Sequence, residues 1–149
     1  MGSKSRNKGA GFENQVAKLV SAALGVTYKR TPLSGGWAKG NKIAAGDLVP
    51  IDSEQRFCFE CKKVEGWALD GFFSGNRALF SSWWQQLLDE CPVGIMPVLV
   101  FSRNRAPIYV AVRKKDYTFL ESSCLIVEEA GEELLIILLE ALLRHFHSS

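Results

Sequence analysis

Seven residues, FCFECKK at positions 57 to 63, constrain the fold more than any other stretch of this chain. Phe57, Phe59 and Cys61 are separated by single residues, the apolar alternation of a β-strand with one face in a core. Side chains two apart on a strand share a face, so Glu60 and Lys62 stand side by side on the opposite one. An ionised carboxylate carried into the interior by so apolar a strand is too costly to keep unless a cation compensates it. One answer is a Glu60–Lys62 ion pair on a half-exposed face. The other is a metal ion.

The remaining elements surround that strand. Residues 1 to 8 are basic with few apolar groups, which predicts a flexible arm. From Gly9 to Leu24, Phe12, Val16, Leu19, Val20 and Ala23 recur at helical spacing, and Gly25 closes the helix. VTYKRT (26–31) reads as a short strand. DLVPID (47–52) reads as another, joined to FCFECKK by a turn at DSEQ, the arrangement of a hairpin. RALFSSWWQQLLDE (77–90) gives a second helix, and GIMPVLVFS and APIYVAVRK give two further strands about the polar turn RNR. Residues from about 130 to 147 read as an apolar C-terminal helix, with acids at its start and Arg144 and His145 at its end. Between Leu134 and Leu143 it is apolar nearly all round. It therefore needs cover from the core or from a second copy, and is a candidate dimer interface. The whole is a mixed α/β chain in which residues 9 to 149 form one domain, long enough to bury a core without disulfides.

Composition narrows the function. No segment has the length of a membrane span, and MGSKSRNKGAG lacks the apolar core of a signal peptide, so a cytoplasmic location is expected. Cys58, Cys61, Cys91 and Cys124 do not form a disulfide framework. The Cys58-x-x-Cys61 pair points to opposite strand faces and cannot easily chelate one ion. The net charge of +2 is unevenly spread: residues 1–63 hold eleven Lys and Arg against five Asp and Glu, residues 64–149 seven against eleven. The basic half is the part suited to a polyanion. Its glycine-rich loop PLSGGWAKGNKIAAG (32–46) lacks the Gly-Lys-Ser/Thr ending of a phosphate loop, so no nucleotide cofactor is expected.

Asp47 decides between the two readings of Glu60. It opens the preceding strand, where hairpin pairing brings its carboxylate beside that of Glu60. Two converging carboxylates repel unless a hard divalent cation such as Mg²⁺ lies between them. A neighbouring Lys62 would then orient water or neutralise charge building on a phosphodiester. Glu13 falls at the edge of the first helix's apolar stripe, aimed at the sheet margin; its other reading is an acid favoured by the helix dipole. Of Trp83 and Trp84 at least one belongs to the core. Phe72 and Phe73 read better as loop anchors than as wedges, and His145 and His147 as solvated side chains.

These residues carry a resemblance. Gly46-Asp47, twelve intervening residues and Glu60-Cys61-Lys62 resemble the PD-(D/E)xK nuclease motif, with glycine in place of the usual proline. KGAGFE (8–13) and RTPLSGG (30–36) are similar to the first helix and the Arg-x-x-x-Ser-Gly segment of archaeal and phage Holliday-junction resolvases. The resemblance implies a restriction-endonuclease-like αβββαβ core with a mixed central sheet flanked by helices. It implies Mg²⁺, or Mn²⁺ in its place, on Glu13, Asp47, Glu60 and the Cys61 carbonyl, with Lys62 and Ser34 in catalysis. A glutamine reaching the site from the second helix is a feature of related nucleases, with nothing to choose Gln85 over Gln86. Lys4, Arg6, Lys8, Arg30, Lys39, Lys42 and Lys63 would supply phosphate contacts. A resolvase nicks two symmetry-related strands, which implies a homodimer. Two alternatives stand beside a junction resolvase: a restriction-like or repair endonuclease on duplex or flapped DNA, and a non-catalytic nucleic-acid-binding module.

Overall fold

The computed structural model describes residues 2–32, 45–117 and 124–148, with side chains between residues 10 and 146 of those ranges. The elements run α1 (Gly2–Leu24), β1 (Tyr28–Arg30), β2 (Leu48–Pro50), β3 (Phe57–Lys63), α2 (Gly71–Ser74), α3 (Ala78–Glu90), β4 (Met96–Ser102) and β5 (Tyr109–Arg113). A 3₁₀ turn (Lys114–Asp116), β6 (Leu125–Glu129), β7 (Glu132–Leu138) and α4 (Leu139–Ser148) complete the chain. The strands form one seven-stranded sheet in the order β1-β2-β3-β4-β5-β7-β6. Strands β3 and β4 are parallel, and every other neighbouring pair is antiparallel. A parallel pair needs a long crossover, which α2 and α3 provide. The expected mixed α/β architecture is therefore present. Among the described residues, no helix is long and apolar enough to cross a membrane.

The two-residue period of the strands sorts the core into two layers. Phe57, Phe59 and Cys61 of β3 join Val98, Val100, Val110 and Val112 against Phe12, Val16 and Val20 of α1 and Leu142 of α4. On the other face, Cys58, Leu99, Phe101 and Ala111 meet Phe80, Trp83, Trp84 and Leu87 of α3. Glu60 and Lys62 share that second face. Both tryptophans are buried, which settles them as core residues.

Two boundaries differ from expectation. Helix α1 begins at Gly2 rather than Gly9, so residues 2–8, expected as an arm, continue the helix. Lysine and arginine are good helix formers, and lengthening a helix already nucleated by its packed half costs little. The second difference is larger. Residues 132–138 of the expected C-terminal helix are strand β7, paired with β5 on one side and β6 on the other. Leu134 and Ile136 enter one core layer, Leu135 and Ile137 the other. A run apolar on every side fits a strand covered on both faces as well as it fits a buried helix. Ala130 and Gly131, at φ 52° and 78°, make a tight two-residue turn between Glu129 and Glu132. The double cover that this run requires is thus supplied within the chain, and only residues 139–148 remain helical.

Candidate active site

The site is built on an unequal pairing. Strand β2 has three residues and β3 has seven, and their register holds Leu48 opposite Phe59. The Asp47 N–H donates to the Phe59 carbonyl at 2.6 Å. One step further along β3, the Cys61 N–H donates to Asp47 Oδ2 at 2.8 Å, so a carboxylate stands where the next backbone partner would be. The N–H and C=O of a strand residue leave the same edge, which sends the Cys61 carbonyl toward that carboxylate as well.

Glycine at position 46 is a requirement. Its φ is +85°, and a Cβ there would lie 2.6 Å from the Phe59 oxygen and 2.9 Å from the Phe59 nitrogen. Proline, whose ring fixes φ near −65°, could not adopt this backbone. Two further residues fasten the segment. Thr31 Oγ1 donates to the Gly46 carbonyl at 2.7 Å, and the Thr31 N–H to the Asp47 carbonyl at 2.8 Å. The buried Gln55 side chain accepts from the Ala45 N–H at 3.1 Å, and donates to the Ala45 carbonyl at 2.6 Å and the Phe57 carbonyl at 3.1 Å. Sequence reasoning missed Thr31 and Gln55, because their partners are backbone groups, at Gly46, Asp47 and Ala45 ten or more residues away, that no side-chain pattern marks.

Glu60 is 4% exposed. Its Oε1 lies 3.4 Å from Lys62 Nζ, while Oε2 is buried without a hydrogen-bond partner. Burial, and then repulsion from Asp47, push the Glu60 carboxyl up to about 7 against the pull of Lys62. Burial likewise raises Asp47 to about 6, with the Cys61 N–H opposing and the charge of Glu13 adding to the rise. Glu90, at the end of α3, adds a smaller repulsion to both, a neighbour that only the helix crossover brings near. Glu13 itself is held by Arg30, whose Nε is 2.7 Å from Glu13 Oε1.

The structure thus brings Asp47, Glu60, Lys62 and the Cys61 backbone together and turns Glu13 toward Arg30. Among the described residues, no three His, Cys, Asp or Glu side chains gather closely enough to hold a metal ion. The donor set still fits Mg²⁺, which commonly takes only one or two carboxylates and fills its remaining positions with water and substrate phosphate. Two mutually repelling carboxylates, one with an unpartnered buried oxygen, are the observation behind that fit.

Other expected residues divide. Ser34, Lys39 and Lys42 lie outside the described residues, as do the side chains of Lys4, Arg6 and Lys8. Lys63 Nζ sits 5.9 Å from the centre of the Phe12 ring. Gln85 and Gln86 bond along their own helix to Asp89 and Glu90, the latter a charge felt by Asp47 and Glu60. Phe72 is an anchor in the core, while Phe73 is 75% exposed. The Cys58 and Cys61 thiols are free and on opposite faces. Parallel pairing sets Lys63 opposite Ser102, which brings Arg103 and Arg105 to the same end of the sheet as Lys62. These arginines were legible only as a polar turn until the strand pairing was known.

A family model described as "Phage putative PDDEXK endonuclease" matches residues 4–146. Protein D14 of Escherichia phage T5 is 26% identical over an alignment of 152 positions that covers 95% of this chain and 92% of that protein. No solved structure matches.

Proposed function

The chain belongs to this family of phage PD-(D/E)xK endonucleases, and from that premise we propose that it hydrolyses DNA phosphodiesters with a divalent cation, Mg²⁺ or Mn²⁺. The observation that carries the proposal is the Asp47 carboxylate on the Cys61 N–H beside Glu60, whose second oxygen has no partner, with Lys62 at 3.4 Å from the first. Asp47, Glu60 and the Cys61 carbonyl would hold the cation, and Glu13 would join them on leaving Arg30. When bound there, the cation supplies Lewis-acid polarisation of the phosphate and a lowered pKa for water. Lys62 orients the attacking water and offsets charge gathering on the phosphate oxygens. Ser34 would assist near the scissile phosphate. Arg30 and Lys63, with Lys4, Arg6, Lys8, Lys39 and Lys42, would fix the DNA backbone without reading sequence.

Preference for four-way junctions, with paired nicks made by a homodimer, rests on the resolvase-like segments at 8–13 and 30–36. The deciding experiment compares nicking of a four-way junction and a linear duplex, with and without Mg²⁺, by wild type, Asp47→Asn and Lys62→Ala. Metal-dependent nicking that both variants lose by at least a hundredfold is expected. Symmetric nicks confined to the junction would mark a resolvase. Absence of metal-dependent cleavage on every DNA would leave only a binding module.

A further inference from the structure

A cavity of about 470 Å³ opens between the loop from Gly66 to Arg77 and the first turns of α3. Its apolar walls are Trp67, Phe72, Phe80, Trp83 and Phe101. Parallel register pairs Phe101 directly with Lys62, so cavity and catalytic lysine lie on one sheet face and on adjacent strands. Neighbouring strands are about 4.8 Å apart, which sets the Phe101 side of the cavity beside the strand that carries Lys62.

The polar lining indicates what enters. Arg77 is occupied: its Nε meets Glu129 at 2.7 Å and a second guanidinium nitrogen donates to the Glu128 carbonyl at 2.9 Å. Asp70, also in the lining, repels anions. Within the lining, Arg77 is thus engaged and Asp70 is acidic, which disfavours a phosphate, whereas a neutral planar group finds the partly exposed Trp67 ring, flanked by Arg103 at 5.5 Å, and Asp70, Ser74 and Asn76 for its edge. We infer, on the reading of the chain as a DNA endonuclease, that the cavity receives one unpaired nucleobase of the DNA beside the scissile phosphate. A paired base inside a duplex cannot enter without leaving its stack, so unpaired or branch-point bases are admitted at least cost. Phe73, exposed between the lining residues Phe72 and Ser74, is placed to fill the gap that such a base leaves.

The test measures binding without cleavage, in EDTA, by fluorescence anisotropy. The DNAs carry one unpaired adenine, an abasic residue at the same position, or full pairing. Wild type should prefer the unpaired base over the abasic DNA by roughly tenfold. Ala78→Trp, an exposed position on the cavity wall, should erase that preference while leaving affinity for the paired duplex unchanged; Phe73→Ala should reduce it. Equal affinity for base and abasic DNA, or equal weakening of all three DNAs by Ala78→Trp, would overturn the inference. Retained metal-dependent nicking in that case would leave the nuclease reading standing. No binding to any of the DNAs would also overturn the inference, and the absence of metal-dependent nicking beside it would refute both.

Discussion

Replacing Glu60 by glutamine keeps the volume of the side chain and an acceptor for Lys62 while removing a buried charge. The carboxyl is displaced from its ordinary 4.5 to about 7, chiefly by burial and by Asp47, with the attraction of Lys62 already offsetting part of the rise. A carboxyl that binds its proton more tightly when folded contributes stability that is fully present below pH 4.5. That contribution is lost as pH rises through about 7. At about 1.4 kcal/mol per pH unit, the interval corresponds to about 3 kcal/mol of destabilisation at pH 8. Urea unfolding of the metal-free protein should therefore show wild type and Glu60→Gln nearly equal at pH 4. At pH 8 the variant should be more stable by about 3 kcal/mol. Added Mg²⁺ should narrow the gap at pH 8 by stabilising wild type alone, because a ligand held by the native state shifts unfolding by mass action. If Glu60→Gln gains nothing between pH 4 and pH 8, the carboxylate is not strained, and the electrostatic case for a cation at this place collapses.

Other perturbations test the support around the site. Gly46→Ala forces a Cβ onto the Phe59 backbone at a positive φ and should cost about 3 kcal/mol by denaturant midpoint; an unchanged midpoint would contradict the close approach. Gln55→Leu strips the Ala45 N–H and C=O of their shared partner and should cost about 2 kcal/mol, with accelerated amide exchange at Ala45 as the local readout. Arg30→Met releases Glu13, so calorimetric titration without DNA should show tighter Mn²⁺ binding while DNA affinity falls. Unaltered Mn²⁺ binding would remove Glu13 from the ligand set.

What could be read in the sequence follows from the range of the interactions involved. Asp47, Glu60 and Lys62 were legible because a hairpin and a two-residue period are local geometry, and the structure sets Asp47 against the Cys61 N–H as that geometry requires. Strand β7 was not legible. EELLIIL has neither a helical nor an alternating period, and the choice was made by β5 and β6, whose positions beside it no local pattern encodes. The Ala130–Gly131 turn was the one local hint. Gly46 was readable as a substitution for proline but not as an obligation, since the obligation comes from the Phe59 backbone. The cavity beside Phe101 and the arginines of the β4–β5 turn depend on β3 pairing with β4 across a crossover of more than thirty residues.

The short β2 strand has a consequence for solubility. Among the described residues β2 pairs with β3 only through Leu48 and Phe59, and unpaired edges of apolar strands invite association between copies. Asp47 closes that edge by laying its carboxylate on the Cys61 N–H, a charged stop at the point where a foreign strand would begin to pair. Truncating Asp47 to alanine would therefore free the Cys61 N–H, whereas Asp47→Asn keeps a side-chain oxygen that can accept from it and Lys62→Ala leaves the bond in place. On the proposed nuclease reading, Lys62→Ala is the variant that tests cleavage without disturbing this bond.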